Sequence, residues 1–242
     1  MTKNKQKNCT ECLSEYCSDP YLDNGRKIKD EIENPFSTTL LKINDPLLKP
    51  MARQGISANM LTFFSLLAGL AAIYFVWKYQ PILGGIFYGI SYFFDCSDGC
   101  MARYTHTESE FGDKFDHYKD ILIFVSLILV VQIRYPPTKK WWTLFVTLFL
   151  LSLVHFGSVE RFNRICCGKN QPNNVLNICS IFSETICPEK QTDSKQTTCK
   201  KLESSMKWTR WGGDGSLVFA IIIYLVTRPT SNRKEEGEET DE

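Results

Sequence analysis

The sequence predicts an all-α fold: a polytopic membrane helix bundle with a polar cavity facing the cytosol. Three observations predict it. Long uncharged runs alternate with short polar connectors, both ends of the chain are polar, and seven carboxylates crowd into residues 95–120 between two apolar runs. The 242 residues suffice for one mid-sized domain. The mean hydropathy of −0.18 averages two different materials, the polar ends and the oily middle. A formal net charge of +1 gives no case for nucleic acid as a partner.

Residues 1–36 read as a flexible cytosolic arm without an apolar period. They lack an apolar stretch of signal-peptide length. Residues 37–57 mix leucine with lysine, as an interfacial amphipathic helix does. Asp45-Pro46 and Pro50 are expected to break that helix into short pieces.

Residues 58–160 form the membrane core. The run Gln54 to Trp77 carries no Asp, Glu, Lys or Arg, and neither does Trp141 to Val159. Each approaches the roughly 20 residues that cross a hydrocarbon core. Tyr79 to Phe94, Ile121 to Ile133 and Gly215 to Thr227 are shorter uncharged runs. Together they predict five membrane helices, the last within residues 211–228, and a short sixth is left open. Buried helices of a soluble core fit less well, because too little polar chain remains to cover so much apolar surface.

Residues 161–210 read as a polar, Cys-containing cytosolic segment, with a weakly amphipathic stretch, "NNVLNICSIFSETIC", lying on the membrane. Residues 229–242 are a solvated charged tail. Lys and Arg concentrate before the first membrane helix and after the fourth, which puts residues 95–120 on the cytosolic face. "RYPPTKK" at 134–140 weakens that assignment slightly. The ten cysteines are expected to stay reduced on that side. Cys9, Cys12 and Cys17 are weak evidence for zinc without a clear second pair.

The acidic stretch carries the chemistry. Asp95, Asp98, Gly99 and Ala102 share one helical face, and so do Gly112, Asp116 and Asp120. The flanking runs are too short to span alone at about 1.5 Å per residue, so both helices are expected to extend through the motif. Ionised groups at that depth need a partner or a metal. Oxygen-only ligands favour Mg²⁺, Mn²⁺ or Ca²⁺ over zinc. Arg103 offers a fork suited to phosphate oxygens, and Gly99 and Gly112 leave room for a close ligand. The set reads as a diphosphate site.

The stretch matches D-x2-D-G-x2-A-R-x8-G-x3-D-x3-D at all eight fixed positions. It resembles the signature of the class I CDP-alcohol phosphotransferase (phosphatidyltransferase) family. "ISANMLTFFSLLAGL", 56–70, is similar to the family's first membrane helix, with Ala58 where a proline is usual. The likeness covers about residues 45–160 and thins from 161 to 210, and the family usually has six membrane helices.

The resemblance implies transfer of a substituted phosphate from a CDP-linked alcohol to an acceptor hydroxyl, with release of CMP, in phospholipid synthesis. It implies two Mg²⁺ or Mn²⁺ ions about 4 Å apart, held by Asp95, Asp98 and Asp116 with Asp120. Asp120 would take the proton from the attacking hydroxyl. Gly99, Ala102, Arg103 and Gly112 would shape the CDP site. His155, Glu160 and Arg161 form a candidate acceptor pocket, though they also read as satisfied helix-end groups. His117 and Tyr118 either orient the pocket or pack. Asp113, Glu108 and Glu110 read as solvated rather than as ligands, and Asp214 as either an interface residue of the last helix or a contact behind the site.

The partners implied are the CDP-linked alcohol, a lipid substrate and the bilayer of an internal, ER-like membrane. Homodimerisation is left open. Two other readings compete: a catalytically inactive membrane binding protein of the same fold, and an intramembrane divalent-cation transporter. The transporter has no use for Arg103, and an intact set of aspartates argues against lost catalysis. "FDH" resembles choline and ethanolamine phosphotransferases, whereas "SEFG" resembles users of CDP-diacylglycerol, so the donor stays open.

Overall fold

A computed structural model describes residues 24–167 and 195–229. Every regular element among them is helical. In chain order these are α1 (Pro35–Arg53), α2 (Ala58–Trp77), α3 (Pro81–Thr105), α4 (Glu110–Arg134), α5 (Lys139–Cys166), α6 (Lys195–Thr209), a 3-10 turn (Arg210–Gly212) and α7 (Asp214–Val226).

Local chemistry sets the boundaries. Asn34 caps α1 and Pro35 follows at its first position. Ser57 Oγ accepts the Met60 N–H at the start of α2. Tyr79, in the left-handed region at φ 58°, turns the chain into Pro81 and α3. His106, also left-handed at φ 53°, closes α3. Ser109 Oγ then accepts the Gly112 N–H at 3.0 Å and opens α4. Pro136 and Pro137 separate α4 from α5.

The main core joins α2, α3, α4, α5 and α7 through Ala72, Val76, Tyr88, Leu127, Phe145 and Tyr224. Small residues let backbones approach: a Cβ on Gly84 would meet Val76 Cγ2 at 2.4 Å. A second cluster seats Ile28 and Ile32 against Phe162, Leu202 and Met206, and a third seats Leu41 and Leu48 of α1 against Leu61 and Met101. Large apolar side chains also cover the outside, among them Phe63, Leu67, Leu70, Leu122, Leu129 and Leu150. A surface of that kind suits lipid rather than water. Among the described residues, two helices, α2 and α5, are long and apolar enough to cross a membrane by length and composition.

The structure corrects three expectations. α1 is one helix in spite of Pro46 and Pro50. The two prolines stand four residues apart on its exposed face, so the carbonyls they leave without donors also face outward, while Leu41, Asn44 and Leu48 hold the other face to the body. Residues 24–34, read as the end of a loose arm, pack on the bundle through Arg26, Ile28 and Ile32, each under 9% exposed. Finally, Cys166 and Cys199 form a disulfide, with Cα atoms 5.8 Å apart, that ties α5 to α6; Cys96 and Cys100 are free. Cys9, Cys12, Cys17 and the "NNVLNICSIFSETIC" stretch lie outside the described residues.

Candidate active site

α3 and α4 run through the motif as the spacing predicts, α3 carrying Asp95 and Asp98 and α4 carrying Asp116 and Asp120. Asp95, Asp98 and Asp116 each offer a carboxylate oxygen, and these oxygens lie within 4.8 Å of one another. Asp98 is buried, Asp95 and Asp116 are partly buried, and Asp120 is the most open of the four. Three carboxylates at that spacing are poised for one divalent cation and repel one another without a positive partner.

One partner comes from the chain itself. Lys119, 3% exposed, sets its ammonium against Asp95, 3.0 Å from Asp116 Oδ1 and 2.9 Å from Asp120 Oδ1. From α2, Ser65 Oγ accepts a hydrogen bond from the same ammonium at 3.1 Å. Thr62, one turn earlier, donates to Asp98 Oδ2 at 2.6 Å and fixes that carboxylate. Asp116 Oδ1 is buried, and the Lys119 ammonium is the partner the structure gives it. Three close carboxylates that share a single ammonium keep a net negative charge, so the residues present fit a divalent cation.

The structure brings part of the motif to this cluster and sends part elsewhere. Arg103 is half-buried, and its Nε donates to the Gly25 carbonyl at 2.5 Å. Gly99 makes room for that guanidinium, since a Cβ there would meet both terminal nitrogens at 3.2 Å. A Cβ on Gly112 would meet Ser109 Oγ at 3.0 Å and Asn59 Oδ1 at 3.1 Å, so this glycine lets α4 start against α2. Ala102 lies on α3 beside Arg103, half-buried. His117 Nδ1 bonds the Asp113 carbonyl of its own helix at 2.8 Å, and Tyr118 is 72% exposed. Glu110 pairs with Lys114 at the surface.

His155, Glu160 and Arg161 lie at the end of α5, on the motif side of the bundle. His155 and Arg161 are buried. His155 Nδ1 stands 3.3 Å from Thr209 Oγ1, and its Nε2 has no hydrogen-bond partner. Glu160 pairs with Lys27 at 3.8 Å. These groups face residues 24–34 and the turn before α7. Asp214 accepts from the Tyr92 hydroxyl at 2.8 Å, and Tyr92 also bonds Ser37, so Asp214 does sit at an interface of α1, α3 and α7.

Lys119, Thr62 and Ser65 are the site residues that sequence reasoning missed. Lys119 had a signal, since it stands three residues from Asp116 and next to Asp120 on the same helix. Thr62 and Ser65 had none, because only the packing of α2 on α3 and α4 brings them there.

Known proteins give the arrangement its context. An archaetidylinositol phosphate synthase of Pyrococcus horikoshii is 33% identical over 48% of this chain and 62% of its own length. A CDP-diacylglycerol–inositol 3-phosphatidyltransferase of Candida albicans is 32% identical over 40% of each chain. Cholinephosphotransferase 1 of Gallus gallus is 29% identical over 60% of this chain and 47% of its own. The chain thus spans about half the length of the curated relatives it matches. No solved structure matches. The family model for CDP-alcohol phosphatidyltransferase matches residues 56–182, which include α2, α3, α4, α5 and every residue of the aspartate cluster. The chain belongs to the CDP-alcohol phosphatidyltransferase family.

Proposed function

We propose that this protein is a membrane-embedded CDP-alcohol phosphotransferase of phospholipid synthesis. The observation that carries the reading is the meeting of Asp95, Asp98 and Asp116 within 4.8 Å, at the junction of two helices that hold the whole family motif. Mg²⁺ or Mn²⁺ bound there would neutralise charge on the diphosphate. Asp120, the most open of the four aspartates, takes the proton of the acceptor hydroxyl. The acceptor oxygen then bonds to the phosphorus that bears the donor's alcohol. The bond from that phosphorus to the bridging oxygen breaks, and CMP leaves with its electron pair. Arg103, Gly99, Ala102 and Gly112 serve the CDP portion. The resemblance implies two ions; Asp95, Asp98 and Asp116 supply one position, and a second would need Asp120.

The donor is either CDP-diacylglycerol or a CDP-aminoalcohol, as the names of the relatives span both kinds of chemistry. In either case one substrate is a lipid and reaches the site sideways between helices. An apolar groove of about 410 Å³ supports that approach. Met51, Ile56, Leu61, Phe64 and Phe94 line it, beside the Thr62 that holds Asp98. The remaining small alcohol, or the aminoalcohol head of the donor, comes past His155, Glu160 and Arg161.

Five crossings are proposed, α2 to α5 and α7, in an internal, ER-like membrane with the motif end on the cytosolic face. Cysteines introduced as Glu108→Cys and Lys139→Cys, both exposed and at opposite ends of α4, should react with an impermeant thiol reagent from opposite sides. Labelling of both from one side would refute the crossing of α4. For the activity itself, purified protein is given a panel of CDP-diacylglycerol, CDP-choline and CDP-ethanolamine with their acceptors. One donor should release CMP in a divalent-cation-dependent way. No release from any of them would sink the proposal.

A further inference from the structure

The four aspartates and Lys119 form a pattern with two cation positions. Asp95, Asp98 and Asp116 surround the first. The second lies among Asp95, Asp116 and Asp120, and there the ammonium of Lys119 stands. Asp95 and Asp116 bridge both positions, Asp98 serves only the first, and Asp120 only the second. We infer that Lys119 is the second cation of this site, so that the enzyme takes one divalent ion per chain where the resemblance implies two. This rests on the metal-dependent reading proposed above and refines it.

The placement of the ammonium supports this. Its three protons have four oxygen neighbours, from Asp95, Asp116, Asp120 and Ser65. Ser65 holds it from the side of α2 and is itself bonded to Ser91, so the amine is fixed from behind as well as from the front. A second dication using the Oδ1 atoms of Asp116 and Asp120 would coincide with the amine or press against it at close range. Leaving is also unfavourable: the side chain is 3% exposed, and departure would break the three ion pairs of a buried ammonium together. Asp98, which Lys119 does not touch, keeps the first position free for an ion.

A fixed ammonium supplies part of what a second ion would supply. It holds Asp120 in place beside the acceptor and adds positive charge near the diphosphate. Lys119 is therefore a positioning residue and a determinant of metal stoichiometry, acting through Asp120 and Asp95.

The test counts ions. Full-length protein in lipid nanodiscs, with CMP present, is titrated with Mn²⁺ and followed by calorimetry and electron paramagnetic resonance. Wild type should bind one Mn²⁺ per chain and give the spectrum of an isolated ion. Lys119→Met, of similar length but uncharged, should bind two and show the spin coupling of ions about 4 Å apart. Lys119→Arg should still bind one. Two coupled ions in the wild type would overturn the inference while leaving the proposed function intact, and that count stands even if a variant fails to fold. One ion in a folded Lys119→Met would also overturn it. No Mn²⁺ in the wild type would overturn the metal-dependent reading itself, and this inference with it.

Discussion

Asn34 and Asp116 are polar residues at the same end of the bundle, in opposite conditions. Asn34 is fully buried, and its amide is satisfied by the chain: Nδ2 donates to the Arg210 carbonyl at 2.7 Å and to Ser216 Oγ at 2.9 Å, and Oδ1 accepts from Phe36 and Ser37. With Tyr92, Ser37 and Asp214 it fastens α1, α3 and α7. Asp116 has a buried oxygen 3.0 Å from the Lys119 ammonium, a single positive partner that it shares with two other carboxylates. A satisfied network holds the fold together. An anionic cluster with more carboxylates than its one ammonium can neutralise has room for a cation that is not part of the chain. The difference separates a structural clasp from a candidate ligand site.

The largest effects should fall on the aspartates. Asp120→Asn removes the proposed base and should lower CMP release about 10²–10⁴-fold while most CDP-donor binding remains. Asp98→Ala should remove metal binding and activity together. Near-normal turnover in Asp120→Asn would erase the distinction drawn here. On the clasp side, Asn34→Ala leaves two donors and one acceptor group without partners and should cost about 2–3 kcal/mol of stability. It should be read as a lower melting temperature, with activity per folded molecule largely kept.

Smaller effects sharpen the border between the two regions. Glu160→Gln loosens the pair with Lys27 and should raise KM for the water-soluble substrate a few-fold, leaving that of the lipid unchanged. No change in any KM would assign the end of α5 to the clasp. Glu33 lies between the regions, and burial, with Asp214 nearby, pushes its carboxyl up to about 7. The folded state then holds a proton that the unfolded chain releases near 4.5, so stability falls as pH rises between about 4.5 and about 7. Glu33→Gln should flatten that decline, giving a higher melting temperature than wild type at pH 8 and an equal one at pH 4.

The sequence made one of these regions far easier to read than the other. Asp95, Asp98, Asp116 and Asp120 announce themselves because they repeat at helical spacing within two consecutive helices. The clasp joins residues as distant as Asn34 and Ser216, which no local pattern relates. Ile28 and Ile32 are buried from a charged arm that packs in turns rather than in a helix, so no helical period marked them. The prolines of α1 misled because local propensity ignores which face an unbonded carbonyl meets. Cys166 and Cys199 pair across 33 positions, a partnership that spacing alone does not reveal.

The claim that one cluster is reserved for a ligand and the other is not can be tested by thermal unfolding with and without Mn²⁺. A ligand that binds only the folded state stabilises it by about 2.7 kcal/mol at one hundred times its Kd. Wild type and Asn34→Ala should show the same upward shift on adding Mn²⁺, from different starting temperatures, and Asp98→Ala should show none. A wild type that Mn²⁺ leaves unmoved, or an Asp98→Ala protein that shifts as far as wild type, would contradict the account.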